Sequence, residues 1–500
     1  MSDGISDRLM RQRVVEAVAL AAMSLGFVAF MFADLGSRPL MMWDESRQAV
    51  NAAEMVVTGN RLVTSYGFVP DLWNTKPPLL VNLMALALQV FGYNTFALRL
   101  VPALSGCLTV ALVGCWTGRV TRSIAAGIAA AALLATSSGF YGVHAASSGD
   151  FDAPLMLLVT AYSALLWRWL ESCGTEASTA VLIGLLIGLA VLDKGIAGVV
   201  PLAGMGIYAL AFSRQRLAAG AAGIVTIAVV AAAVSGGYYL YRAWDHPDFL
   251  AIIASNEVGG RFGVPQDGFD GPWWYYLAAL FYPADNLWPL FSAGATGVAV
   301  CGWAWLLPPP QRRVAGFVLC AATGIIAVYS SAATKQFWYI APALPFLSIA
   351  AGLGGVGAVA AVRRRLPEVC WVVPAVFLVA LVSLGADAVI ARYVVPSRGL
   401  APRAFGTLAA AASARRLLPL AVYDRGYYNR AGFSDYAANL RFYELAAAAH
   451  GEKLYQVTTR AAAVEARFIG SCDAATRNIV AGLGRLGWAG AGCLIVDRGR

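Results

Sequence analysis

Apolar runs of Ala, Leu, Val and Gly recur from about residue 14 to about residue 392, and each long one covers the roughly 20 residues a helix needs to cross a bilayer. Segments of that length leave little choice of fold. They are too long for outer-membrane strands, which alternate in short segments. With 59% of the 500 residues hydrophobic and 13% charged, an ordinary soluble protein is excluded. The formal charge of +9 lies mostly in arginines of short loops, as the positive-inside rule expects. That distribution sets nucleic-acid binding aside.

Threaded by charge, the chain reads as an all-α polytopic membrane protein of about 11 transmembrane helices, followed by a small C-terminal α/β extracytoplasmic domain. Arg8, Arg11 and Arg13 precede the first span (about 14–35) and place the N-terminus in the cytoplasm. No small-residue cleavage site follows this run, so it reads as a retained helix. The first outer loop, 36–95, carries two interfacial helices, at 45–57 and at Leu79–Phe91, the second short enough to read also as a tilted span. Further spans are expected at about 96–118, 124–142, 153–170, 178–193, 195–212, 218–241, 274–306, 314–331, 337–361 and 369–392. The loop 242–272, with Asn256, Glu257, Arg261 and Asp267, is Gly-rich and flanked by aromatics, the makeup of a mobile lid. Trp273, Trp274, Tyr275 and Tyr276 read as an interfacial aromatic belt.

The transmembrane unit therefore runs over 1–393 and the extracytoplasmic domain over 394–500. Strands are expected at 421–423, 453–457 and 493–496, and helices at 441–450 and 460–468. Cys107, Cys115, Cys301, Cys320 and Cys370 are explained by packing in or beside spans, and Cys173 is cytoplasmic. Cys472 and Cys493 share the outer domain, where a disulfide persists if it forms. No Cys/His pair has structural-zinc spacing, and the histidines are scattered.

The ionisable breaks carry the chemistry. Trp43-Asp44-Glu45, Thr75-Lys76-Pro77-Pro78, Asp150-Phe151-Asp152, Asp193-Lys194-Gly195 and Thr334-Lys335 all fall on the outer side of this topology. Taken singly, Asp44-Glu45 and Asp150/Asp152 also read as helix caps, and each lysine as a snorkelling side chain. Together, Lys76, Lys194 and Lys335 form a cationic set on the face where positive charge is disfavoured, so they call for an anionic partner. A phosphate suits a lysine ammonium, and Arg99 at the entrance to the next span adds a bidentate fork. Carboxylates beside phosphate-binding cations suggest group transfer from a phosphate-linked donor. Phosphate leaves as an anion, so one carboxylate suffices to deprotonate an acceptor hydroxyl. No nucleotide-binding glycine motif is present, which favours a lipid phosphate over a nucleotide.

These residues resemble a known family. Trp-Asp-Glu with a trailing Ala-Ala-Glu-Met, then Lys-Pro-Pro-Leu, Ala-Leu-Arg-Leu-Val-Pro, Asp152-Ala-Pro-Leu, Gly188 to Gly195 and Lys335 to Pro345 occur in the order seen in superfamily C glycosyltransferases. The branch resembled is that of protein mannosyltransferases and the lipid A aminoarabinose transferase, over about residues 14–360. The resemblance implies inverting transfer of a monosaccharide from a polyprenyl-phosphate donor to a lipid, glycan or protein hydroxyl at the outer face of a bacterial inner membrane. It implies Asp44 as catalytic aspartate, Asp152 as the second acidic position, Lys76 as the lysine meeting donor phosphate, and Lys194 and Lys335 as further basic positions. Glu45, Arg99, Asp150, Arg261 and Tyr339 complete the candidate substrate-binding set. No cofactor or metal is assigned, and a divalent cation is left open. Thr75 stands where the aminoarabinose transferases commonly have Glu, which argues against that particular substrate and against a metal held by that glutamate. A transporter of lipid-linked sugars is the alternative, but it would place charges near the midplane of repeated halves. Here they sit at span ends, and no internal repeat is found.

Overall fold

A computed structural model describes residues 14, 18, 21–72, 74–142, 144–265, 269–281, 302–369, 371–393, 404–425 and 437–499. Helix α1 (Asp44–Thr58) follows the N-terminal helix, and a short hairpin leads to α2 (Leu79–Phe91) and α3 (Thr95–Thr121). Asn94 caps α3 by accepting from the Ala97 N–H at 2.8 Å. Next come α4 (Ile124–Ala135), α5 (Asp152–Glu171), α6 (Ala177–Lys194), α7 (Pro201–Phe212), α8 (Ala221–Asp245), α9 (Pro309–Ser331), α10 (Leu344–Arg365) and α11 (Val372–Tyr393).

Among the described residues, six helical stretches are long and apolar enough to cross a membrane, containing α3, α5, α6, α8, α9 and α10. Other expected spans appear as shorter apolar helices: Ala21–Phe32, α4 and α7. The span expected at 124–142 ends at Ala135, where Thr136-Ser137 breaks the ladder before the single turn Ser138–Tyr141. Most of the span expected at 274–306 lies outside the described residues, as do Arg8, Arg11, Arg13, Asp267, Cys301 and Cys370. Helix α8 buries 11% of its apolar window, which leaves most of its surface for lipid.

The two loop helices differ from each other. Along α2, Leu83, Leu86, Val90 and Phe91 stay exposed, an apolar stripe suited to an interface. Helix α1 instead buries Ala49, Val50, Ala53 and Met55 in a core shared with α2, α3 and the C-terminal domain. Phe405, Leu440, Phe442 and Ile495 enter that same core, so the outer loop and the C-terminal domain pack as neighbours. Of the expected aromatic belt, Trp273 and Trp274 are exposed, but Tyr276 is buried and its hydroxyl donates to the Gln336 carbonyl at 3.1 Å.

The C-terminal domain contains α12 (Phe405–Ala414), β1 (Leu420–Tyr423), α13 (Ala438–Ala449), β2 (Leu454–Val457), β3 (Phe468–Ser471), α14 (Ala474–Ala481), β4 (Arg485–Gly490) and β5 (Cys493–Asp497). The sheet order is β2-β1-β3-β5-β4. Strand β1 runs parallel to β2 and β3, while β5 is antiparallel to β3 and β4. The helix expected at 460–468 is one turn only, Arg460–Ala463, and Phe468 begins β3. Cys472 and Cys493 form a disulfide. In the chain-entropy account a loop of that size is worth about 3 kcal/mol. Cys493→Ser should therefore lower the apparent melting temperature by several degrees, and reductant should reproduce the loss in the native protein; an unchanged transition would remove the bridge from the domain's stability.

Candidate active site

Three segments that join helices meet at the start of α1. Trp43 enters it with φ at +71°, a conformation costly for a bulky residue and concentrated at functional sites. The two carboxylates that follow then diverge. Glu45 turns inward and pairs with Arg99, Nε to Oε1 at 2.6 Å and Nη2 to Oε2 at 2.8 Å. The Met41 and Gly149 backbone N–H groups donate to it at 2.8 and 2.7 Å. Burial alone would raise the Glu45 carboxyl, but Arg99 and these donors hold it below its ordinary value.

Arg99 also donates to the Leu35, Arg38 and Pro39 carbonyls, so its fork is fully used. In this structure Arg99 and Glu45, expected to contact substrate, pair with each other and clamp α1, α3 and the backbone at Gly149. Arg99→Ala strands a buried carboxylate and should destabilise the protein by about 3–5 kcal/mol, read as a large drop in detergent melting temperature. A variant as stable as the parent would contradict the clamp.

Asp44 stays at the rim, its side chain 35% exposed. His144 Nδ1 lies 3.5 Å from Asp44 Oδ2 and 2.6 Å from Asp150 Oδ2. The imidazole stacks on Trp338 with centroids 3.8 Å apart and planes 17° from parallel. His144 has φ at +64°, so the loop makes a left-handed turn to bring the ring there. Burial and the Asp150 charge raise the Asp44 carboxyl above its ordinary value, against the lowering influence of His144, Lys194 and Arg261. Burial would lower the His144 imidazolium, but the Asp150 hydrogen bond and the charges of Asp150, Asp44 and Asp152 raise it. Asp150 is held low despite its burial, chiefly by His144. A cavity of ≈ 180 Å³ opens here, lined by Met41, Met42, Trp43, Glu45, His144, Ser148 and Asp150.

Two cation pairs border this carboxylate set. Lys194 at the end of α6 bonds Asp152 at the start of α5, at 2.6 Å. Lys76 bonds Glu257, which also accepts from the Thr75 hydroxyl at 2.8 Å. Arg261 approaches Glu257 at 3.8 Å and donates to the Tyr339 hydroxyl. Burial lowers the Lys76 ammonium despite Glu257. The Lys76 and Arg261 charges overcome burial and hold Glu257 down at about 2. Lys194 and Arg261 both act electrostatically on Asp44 and on Lys76, so the pairs and the carboxylates form one site.

The segment expected as a mobile lid is stitched down. The backbone N–H groups of Ala333, Thr334 and Lys335 donate to the carbonyls of Phe262, Arg261 and Phe269 at 2.8–3.1 Å. Those bonds fix Arg261. The Lys335 ammonium is spent on the carbonyls of Tyr329, Ser330 and Ala332 at the end of α9. Lys335, expected in the phosphate-binding set, thus has its ammonium engaged by main-chain carbonyls in this structure, while its N–H holds Phe269.

Reading the sequence missed His144 and left Glu257 in the lid without a role. His144 stood alone on a loop, and Glu257 finds Lys76 across 181 residues. Asp44, His144 and Asp150 offer ligand atoms within 4.8 Å of one another, a spacing that admits a divalent cation. Yet 2.6 Å between His144 and Asp150 is hydrogen-bond contact, closer than two ligands each about 2.0–2.2 Å from a shared tetrahedral zinc. A larger cavity of ≈ 370 Å³ between α7 and α9, lined by Gly204, Leu319, Gly324 and their neighbours, presents no carboxylate, amine or guanidinium and takes no part in this chemistry.

A family model for dolichyl-phosphate-mannose-protein mannosyltransferase matches residues 75–239. An undecaprenyl phosphate-α-4-amino-4-deoxy-L-arabinose arabinosyl transferase of Pseudomonas fluorescens is 26% identical over 303 residues, 60% of this chain and 50% of that protein. A second from that species is 27% identical over 361 residues, 69% of this chain and 58% of that one. The chain thus spans about half the length of the curated relatives it matches. ArnT from Cupriavidus metallidurans, solved bound to undecaprenyl phosphate, shares the fold at TM-score 0.59 and 18% identity, over 96% of this chain and 98% of that one. The Archaeoglobus fulgidus oligosaccharyltransferase follows at TM-score 0.53 and 14% identity, over 90% and 65%. In sequence the chain is similar to the protein mannosyltransferases and the aminoarabinose transferases, and its fold is that of ArnT.

Proposed function

We propose that the protein moves a monosaccharide from a polyprenyl-phosphate donor to a hydroxyl of a lipid, glycan or protein acceptor, with inversion, at the outer face of a bacterial inner membrane. The observation that carries this reading is a rim carboxylate, Asp44, set within electrostatic reach of Lys194 and Arg261, with Lys76 joined to Arg261 through Glu257. Asp44 takes the acceptor proton as the oxygen attacks the anomeric carbon. The phosphate departs with the bonding pair and is met by Lys76 and Arg261, so no acid is needed to protonate it. Asp152 holds Lys194 at the edge of the site. The raised Asp44 carboxyl suits a base, whose efficiency is greatest when its affinity for protons approaches the working pH. The Cys472–Cys493 bridge supports an extracytoplasmic C-terminal domain, and the arginine pattern supports a cytoplasmic N-terminus.

Membranes containing the protein, incubated with a panel of labelled polyprenyl-phosphate sugars, should move label from one donor into lipid, polysaccharide or protein. The partition of the product identifies the acceptor class. Passage of intact donor across sealed vesicles without transfer would instead establish the transporter reading.

A further inference from the structure

We infer that His144 is a positioning residue for the Asp44 carboxylate, acting as a neighbouring cation held in place by Asp150 and Trp338. This rests on Asp44 as the base of the proposed transfer and adds a member of that site drawn from a separate loop.

One ring nitrogen, Nδ1, faces both carboxylates, 2.6 Å from Asp150 and 3.5 Å from Asp44. The unequal distances assign unequal roles. Asp150 is buried and its second oxygen accepts from the Phe151 N–H at 2.7 Å, so it is the fixed anchor. Asp44 is the more exposed partner and the one free to meet a substrate. Stacking on Trp338 prevents the ring from swinging, and the left-handed turn at His144 shows that the backbone is bent to place it.

The imidazolium does two things for Asp44. Its charge, 3.5 Å from Asp44 Oδ2, draws that oxygen toward the ring and leaves the other for the acceptor hydroxyl. It also places positive charge between two like charges that would otherwise repel and drive one of them to bind a proton. The charged groups acting on Asp44 are Asp150 and His144 from this loop, Lys194 from the end of α6 and Arg261 from the stitched segment. Those acting on His144 are Asp150, Asp44 and Asp152. During transfer the acceptor proton passes to the free oxygen of Asp44. The His144–Asp150 bridge is unchanged at the end, so nothing else needs to be supplied.

Two variants separate positioning from packing. His144→Phe keeps the stack on Trp338 but loses the N–H and the charge. His144→Gln restores a donor without the charge. With the preferred labelled donor, His144→Phe is expected to lose about 10- to 100-fold in kcat with donor KM within a few-fold of the parent. The acid limb of its pH profile should move to higher pH, because Asp44 then faces Asp150 without an intervening cation. His144→Gln should recover part of kcat but not the acid limb. Carbodiimide labelling of Asp44 against pH, followed by mass spectrometry, reads the same coupling without any sugar donor, and its midpoint should rise in both variants. An unchanged labelling midpoint, or an activity loss equal at every pH, overturns the proposal. A shifted midpoint in a protein that transfers no sugar upholds the coupling and sinks the transferase reading instead.

Discussion

Asp44→Asn is expected to abolish sugar transfer, by at least about 10²-fold, while leaving the protein folded and inserted. The amide has the same shape and retains an oxygen toward His144, so the loop geometry should survive. What disappears is basicity: an amide cannot take the acceptor proton at any accessible pH. The rest of the site predicts how the parent protein responds to acid. Asp44 must be ionised to act, and burial together with Asp150 raises its carboxyl. Activity should therefore fall as pH drops through a point above the ordinary carboxylate range, and be fully present above it. In Asp44→Asn the residual rate should show no such limb. A pH–rate profile of kcat/KM for both proteins checks this, and parental activity in Asp44→Asn would remove Asp44 from the base role.

Much of the scaffold was readable because a membrane leaves so few options. Runs of apolar residues had to be helices, and arginine placement ordered them. A common side for the Asp44, Lys76, Asp152 and Lys194 breaks was expected from that threading, and the folded chain brings these residues together. What was less legible shares a physical cause. Arg99 and Lys335 were assigned to substrate from charge and motif position, yet each is buried, Arg99 bonded to Glu45 and main-chain carbonyls and Lys335 to main-chain carbonyls. A sequence shows that a cation is present but not whether local backbone has already claimed it. His144 and Glu257 failed in the opposite direction. Their partners lie across a left-handed loop turn and across distant segments, and neither relation has a periodicity to detect. In the C-terminal domain, the alanines at 461–463 favoured a long helix, but the apolar Phe468-Ile469 step has its place in the sheet, where Ile469 pairs with Val496. Strand β4 is mostly exposed and carries Gly487 and Gly490, so it lacked the alternation that marks a half-buried strand.

Substitutions at Lys76 and Glu257 should act on the donor in opposite directions. Lys76 is bonded to Glu257 in this structure, and Glu257 also contacts Thr75 and Arg261. The carboxylate therefore occupies the cations that the proposed mechanism reserves for phosphate. It is not removed by protonation under working conditions, since it titrates at about 2, so a donor phosphate must displace it. Lys76→Ala removes a charge-assisted contact worth about 1.5–3 kcal/mol and should raise donor KM by roughly 10- to 100-fold, with a smaller change in kcat. Glu257→Gln keeps the Thr75 contact but removes the competing charge, so donor KM should fall several-fold. Its dependence on salt should steepen, because Lys76 and Arg261 then attract the phosphate unopposed. Binding of polyprenyl phosphate to purified protein at two ionic strengths separates these effects from turnover. If Glu257→Gln instead weakens the donor as Lys76→Ala does, Glu257 is the anchor that aims the ammonium, and the phosphate must approach Lys76 from the side that Glu257 leaves open.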